Sequence, residues 1–337
     1  MTFGGSAKAD ARLDGDWIVV EGAGNTLASM ARDVADPKIF SYEEETGYAI
    51  AARSIRVAGQ LAIGGAKTSG SLFRHVESLE FDVGQCGQAR IALADEAARL
   101  TIENARVSTL HTDQGNDACN AEGNQIDVAA GALVMRASTI TGNFVVRAGK
   151  GAVDLADAMI TSTNHSGMQL GAGPARLAGL RLLDHQLYGM EVGPLEGPLL
   201  LEGCTVRGGG ADLHVRGPGE VVARDCDFDS IRFAGAGASV RRQWTVRVRT
   251  NAPGARVTAA SERGVGLPER VEATAGADGV AHLVLTEYVA RPGEDYLRPG
   301  RNDATPHRLT IEAPDGRTIG SVANYRVLAR GQEVRVP

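Results

Sequence analysis

Asp184 and His185 stand side by side in the stretch "LLDHQLYGMEV", residues 182–192. A carboxylate beside an imidazole fixes the ring's tautomer and leaves its second nitrogen to act as a general base. A second polar pair, Asn164 and His165, precedes it, and His111, Asp113 and Asn143 lie further upstream. Arg181 and Arg176 are the nearest guanidinium groups in sequence, the type of side chain that stabilises a developing anion. His165, Asp184 and His185 are therefore the candidate catalytic groups. His111, Asp113, Asn143, Asn164 and Arg181 are the candidate ligand-binding groups. The competing account is structural: Asn, Asp and His at polar bends hold the chain by local hydrogen bonds and need no ligand.

A different chemistry is suggested by "LHTDQGNDACNAEGNQ", residues 110–125. Asp113, Asp117 and Glu122, with Asn116 and Asn120 between them, offer oxygen ligands suited to calcium. The EF-hand pattern D-x-[DN]-x-[DN]-G is not met. Calcium is thus an optional ion, and no cofactor is required. A solvated Asn/Asp/Gly loop is the alternative.

What would position these residues is a repeat. Two apolar residues at i and i+2, a small or apolar one at i+5 and another apolar at i+7 recur in "LTIENARV" from Leu100, "LVMRASTI" from Leu133, "VDLADAMI" from Val153, "ARLAGLRL" from Ala175, "LLLEGCTV" from Leu199 and "VVARDCDF" from Val221. Between the copies runs a second pattern, apolar-any-apolar followed by Gly: "IDVAAG", "FVVRAG", "MQLGAG", "MEVGP", "LHVRG" and "IRFAG". Each unit of roughly 22 residues therefore holds two or three very short strands. Such strands bury a face only when successive units stack. The expected architecture is all-β, a right-handed parallel β-helix over residues 51–241. A leucine-rich repeat lacks its Leu/Asn framework here, and frequent Gly defeats helical repeats. In this frame the polar bends stack along one edge, coil over coil.

Residues 1–50 form an N-terminal segment with a capping helix. In "NTLASMARDVAD" the spacing of Leu27, Met30, Ala31 and Val34 is helical, and Asn25 or Thr26 is the N-cap. After Phe233 the repeat stops, and "AGAGASVRRQ" reads as a linker. From Trp244 the apolar alternation lengthens into about seven strands, with a hairpin signal at Asp278-Gly279. Residues 242–337 are expected to be a β-sandwich.

"GMQL" after "TSTNHS" and "GMEV" after "LLDHQLY" resemble the parallel β-helix repeats of pectate-lyase-like and NosD-like proteins. "NAPGARVTAAS" followed by "GADGVAHLVLTEY" resembles the carboxypeptidase-regulatory or transthyretin-like β-sandwich. The pairing is similar to exported surface proteins. The resemblance implies a location outside the cell or at its surface, and a polysaccharide or cell-envelope glycan as partner, with other surface proteins as further partners. The NTD, DD, GHG and RIK signatures of polygalacturonase-like hydrolases are absent, as is the pectate-lyase signature. The expected function is therefore glycan binding without known-family catalysis. The alternatives are a polysaccharide lyase, hydrolase or epimerase with an unfamiliar site, and a structural or adhesion spacer.

Composition agrees with this frame. The 337 residues include 43 Gly and only 4% aromatics, so small aliphatic side chains must fill the core. A net charge of -6 without a basic stripe argues against nucleic acid. No apolar run is long enough for a membrane span. The opening residues carry no signal-peptide pattern, so export requires that such a segment has been removed. Of the four cysteines, Cys86 and Cys119 lie at equivalent bends where a disulfide would pin the 110–125 loop. Cys204 and Cys226 share one repeat position and are expected as buried thiols. Tyr288, Tyr296 and Arg298 fall in "EYVARPGEDYLRPGRND", expected to be an exposed loop that either stacks on a sugar or covers a sheet edge.

Overall fold

A computed structural model describes residues 10–64, 70–74, 76–82, 89–110, 126–141, 146–161, 166–294, 303–328 and 331–336, with the backbone alone at 109, 110, 146 and 147. The chain is almost entirely β, with one α-helix among the described residues. It divides into two compact units. One comprises residues 1–196, 204–216 and 228–232, and the other 197–203, 217–227 and 233–337.

In the first unit the recurring pattern becomes strand pairing. Leu100 pairs with Leu133, Leu133 with Val153 and Val153 with Ala175, all in parallel strands. These are the positions at which the sequence copies align. The i+7 residues form a second parallel series, with Ile140 beside Ile160 and Ile160 beside Leu182. The apolar-any-apolar segments form a third, Met168 beside Met190 and Met190 beside Leu213. Each strand is two to five residues long and pairs with the corresponding strand of the next repeat.

The physical basis is the two-residue side-chain period of a strand. Leu133 and Met135, Val153 and Leu155, and Ile126 and Val128 all point inward and are buried. Every inward aliphatic side chain therefore meets its equivalent in the neighbouring strand, and each full burial contributes roughly 1.5–3 kcal/mol. The small or apolar i+5 residues lie where the chain turns between two of the sheets. Ala105, Ser138, Ala158 and Leu180 are buried at these corners. The residue before each has a left-handed backbone: Asn104 at φ 55, Ala137 at φ 46, Asp157 at φ 52 and Gly179 at φ 61. Asn, Asp and Gly tolerate that conformation, whereas Ala137 is strained by its Cβ.

Parallel pairing begins upstream of residue 51, since Trp17 already pairs with Ser54 and Val20 with Val57. The strand Asp10–Asp14 lies antiparallel on Trp17–Glu21. The helix spans Leu27–Val34 with Thr26 as its N-cap. The Thr26 side chain accepts from the Ser29 N–H at 3.2 Å, and Ser29 Oγ accepts from the Thr26 N–H at 2.9 Å. Leu27 and Met30 are buried, and Asn25 donates to Glu21 O at 2.7 Å.

In the second unit Leu199 pairs with Val221 and Val221 with Val240, again in parallel. The expected linker is not one. Ala238–Arg249 is a continuous strand whose first half pairs with Gly219–Arg224 and whose residues from Val240 to Arg249 pair antiparallel with Val280–Ala290, through a bulge at Arg242/Gln243. Alternating buried residues from Ala238 to Val248 carry the strand through a segment that its glycines had marked as a linker. A separate four-stranded antiparallel sheet runs in the order Arg270–Thr274, Arg256–Ser261, His307–Glu312, Thr318–Tyr325. Trp244, Val246, Val248, Leu283 and Leu285 share one apolar core with Val257, Leu309 and Ile311 of that sheet. The Asp278-Gly279 turn is not a hairpin. It links Arg270–Thr274 to Val280–Ala290, which belong to different sheets. Cys204 and Cys226 are free and buried.

Candidate functional site

Of the residues singled out by sequence, His111, Asp113, Asp117, Glu122, Asn143, Asn164 and His165 lie outside the described residues, as do Cys86, Cys119, Tyr296 and Arg298. Arg181, Asp184 and His185 all fall on the strand Arg181–His185. Arg181 and Asp184 are exposed, and His185 is buried at 3% exposure. Asp184 has φ 59, and the pairing with Thr205–Gly208 shifts register between Leu182 and His185. That irregularity turns the carboxylate outward, where it accepts from Thr161 Oγ1 at 3.3 Å. The imidazole turns inward and lies against Gly167, where a Cβ would come within 2.5 Å of Nε2. Burial pushes the His185 pKa down to about 4, against the opposing pull of the Asp184 charge and a hydrogen bond to the Ile160 backbone. A covered, weakly basic imidazole and an exposed carboxylate do not form the expected base and orienter. Tyr288 also departs from expectation. It is buried on the strand Val280–Ala290, with the Arg242 guanidinium 5.9 Å from its ring centre.

A convergent polar cluster lies elsewhere, on strands of the apolar-any-apolar pattern. The middle residues Asp127, Gln169 and Glu191 alternate with buried neighbours and point away from the core, and parallel register sets the middle positions side by side: residue 127 beside 147, 147 beside 169, Gln169 beside Glu191, Glu191 beside His214. Glu191 is the centre of this row. Its side chain is 12% exposed. Oε1 accepts from Ser166 Oγ and from Gln169 Nε2 at 3.3 Å. Oε2 accepts from Arg216 Nη1 at 3.3 Å and lies 3.6 Å from His214 Nδ1. Buried carboxylates need such partners, because an unpaired one loses its hydration without compensation.

The row continues through His214. Its ring packs on Tyr188 with centroids 4.1 Å apart, and Arg232 Nη1 donates to Tyr188 Oη at 3.0 Å. Burial pushes the His214 pKa below the ordinary histidine range. Glu191 opposes that shift, while Arg232 and Arg216 reinforce it.

Beside Glu191 opens a cleft of about 370 Å³. Gly149, Gly171 and Gly193 form its floor, Gln169, Glu191 and Arg216 its polar wall, and Leu170 and Pro194 its apolar side. The floor is close-packed backbone: Gly171 N–H donates to Ala148 O at 2.6 Å, and a Cβ on Gly171 would lie 2.6 Å from Gly149 O. A larger cleft of about 450 Å³ lies at the Phe73, Val76, Glu77 and Asn104 corner. There Glu77 is engaged by Arg53 at 2.9 Å at an exposed position, and no comparable convergence of buried polar groups is found among the described residues.

The signal for the Glu191 site was present in the "any" position of the apolar-any-apolar motif. That position holds Asp127, Arg147, Gln169, Glu191, His214 and Arg232 in successive copies. Among the described residues no group of three His, Cys, Asp or Glu side chains is arranged to hold a metal. No helix among the described residues is long and apolar enough to cross a membrane. In comparison with known proteins, the chain matches no family model, no curated protein and no solved structure.

Proposed function

We propose that this chain is an exported or cell-surface protein that binds a carbohydrate or cell-envelope glycan without transforming it. In this reading the repeat forms a right-handed parallel β-helix, the helix Leu27–Val34 caps its N-terminal end, and residues 242–337 form a β-sandwich. Parallel pairing at the spacing of the sequence copies supports the first element. Two sheets around one core support the last.

The binding site is the cleft beside Glu191, and the saturated state of that carboxylate is the observation that carries the reading. Ser166, Gln169 and Arg216 already occupy its oxygens. Glu191 therefore orients its neighbours instead of attacking a ligand. Gln169 keeps an amide oxygen and a second N–H for a ligand, and Arg216, 60% exposed, keeps most of its five donors. Several fixed donors and acceptors over an apolar and backbone floor suit a polyhydroxylated ligand, and the volume falls in the range of small-molecule sites.

Glycoside hydrolysis ordinarily needs two carboxyl groups flanking the bond. Glu191 is the single carboxylate among the described residues lining the cleft, which favours binding over catalysis. The 110–125 loop, with Asp113, Asp117 and Glu122, is proposed as a further contact with calcium as an optional ion.

A glycan array probed with the full chain, with and without calcium, tests this. Binding of at least one glycan class is expected, with at least tenfold weaker binding by Gln169→Ala and Arg216→Ala. No unsaturated product should appear in ultraviolet absorbance and no new reducing ends should form. Turnover of a bound glycan would replace binding with catalysis, and silence across the array would favour the spacer.

A further inference from the structure

We propose that His214 makes the cleft beside Glu191 sensitive to pH: on taking a proton it draws Glu191 away from Arg216 and releases that guanidinium from the cleft wall. The inference rests on the binding site proposed above and adds its regulation. His214 lies on the strand Ala211–Val215, beside Glu191 of the strand Tyr188–Val192. The imidazole is buried, and its Nδ1 has no hydrogen-bond partner among the described residues. Glu191 Oε2 stands 3.6 Å from that nitrogen, too far for a hydrogen bond and close enough for ionic attraction. The same oxygen accepts from Arg216 Nη1 at 3.3 Å. One carboxylate oxygen therefore has two claimants, and only the guanidinium carries a permanent charge.

The groups around the ring decide which claimant holds the oxygen. From Tyr188–Val192 come Glu191 and the Tyr188 ring, stacked on the imidazole at 4.1 Å between centroids. From the strand Ile231–Phe233 comes Arg232, which donates to Tyr188 Oη at 3.0 Å. On either side of His214 along the chain stand Asp212 and Arg216. Asp212 is already engaged by the N–H groups of Gly208 at 3.0 Å and Ser230 at 3.2 Å, with Arg207 at 3.7 Å. Burial favours the neutral ring, Glu191 opposes it, and Arg232 and Arg216 favour it further, which holds His214 below the ordinary histidine range. At neutral pH the oxygen therefore belongs to Arg216. An imidazolium gains a charge-assisted hydrogen bond from Nδ1 to Glu191 Oε2, and its charge repels Arg216. Glu191 keeps a partner at its 12% exposed position, while water receives the 60% exposed guanidinium. Acid thus withdraws from the cleft one of the groups offered to a glycan. By linkage, a bound glycan holds His214 in its neutral form.

Titration of the full chain from about pH 7.5 to about 4.5, followed by NMR of the imidazole and arginine side-chain nitrogens, tests the switch without a ligand. Protonation of His214 and a change in the Arg216 Nε–H signal are expected to share one midpoint. The Arg216 change should be absent in His214→Gln. For a glycan found on the array, wild-type affinity should fall about tenfold or more across that range. In His214→Gln and in Arg216→Ala the affinities at the two ends should be nearly equal, whatever their value at neutral pH. His185 also takes up a proton toward the acid end, at about 4, so His185→Gln serves as the control that keeps the wild-type fall. A His214 that stays neutral throughout overturns the proposal, as does one that protonates while the Arg216 signal stays fixed. So does a fall in affinity that survives in His214→Gln. If no glycan binds, the binding reading fails alone, and the titration of the free chain still decides whether the switch exists.

Discussion

Glu191 Oε2 accepts from Arg216 Nη1 at 3.3 Å, joining a nearly covered carboxylate to a guanidinium that is 60% exposed. The two partners therefore contribute differently. Arg216→Ala removes an exposed ion pair and should cost at most about 1 kcal/mol of stability, while weakening glycan binding about tenfold or more. Glu191→Ala strips Ser166 and Gln169 of a buried acceptor and should cost about 1–3 kcal/mol. Urea unfolding beside glycan titration separates the two effects. Equal stability losses would contradict this asymmetry.

The glycine floor gives a steric test. A Cβ at Gly193 would lie 3.2 Å from Leu170 O and 3.7 Å from Gly171 Cα, so Gly193→Ala should fold with a loss of about 1 kcal/mol or less. Its methyl group would occupy cleft space, and glycan affinity should drop. At Gly171 the same addition meets Gly149 O at 2.6 Å, so Gly171→Ala should lose about 1–3 kcal/mol. Gly193→Ala with unaltered affinity would remove the cleft from consideration.

His185 predicts an acid sensitivity. Its folded pKa of about 4 lies below the unfolded value of about 6.5. Between these values the unfolded state binds more protons, so stability rises with pH across that window. The contribution is fully present above about pH 6.5. It declines as pH falls, by up to about 3 kcal/mol near pH 4. Unfolding free energies of wild type and His185→Gln should converge as the pH is lowered from about 7.5 to 4.5. A constant difference between them over that range would show that the imidazole does not titrate in this way.

At the corner residue Ala137, φ 46 places an alanine Cβ in a conformation that glycine adopts freely. Ala137→Gly should stabilise the chain by about 0.5–1 kcal/mol, the relief of left-handed strain less glycine's greater unfolded-state entropy. Gly179, at the equivalent corner with φ 61, gives the converse: Gly179→Ala should destabilise by at least as much. Thermal unfolding of both variants checks the sign at each position.

The repeat spacing was legible because strand side chains alternate with a period of two. Leu133, Val153 and Ala175 could be aligned without coordinates, and the same residues pair in the structure. The helix was legible from its apolar spacing and its Thr26 cap. Asp184 and His185 were misleading for a local reason. A left-handed residue and a register shift separate two neighbours that the sequence places side by side.

The sequence by itself determined which residues face inward, because burial follows the local alternation of each strand. It also contained the row from Asp127 to Arg232, one polar residue in each copy. Only the tertiary structure decided that Gln169, Glu191 and Arg216 meet, and that His185 is enclosed. Side chains separated by a full repeat come within hydrogen-bonding distance through parallel register. Bulges, corners and loops adjust that register in ways that no single copy encodes.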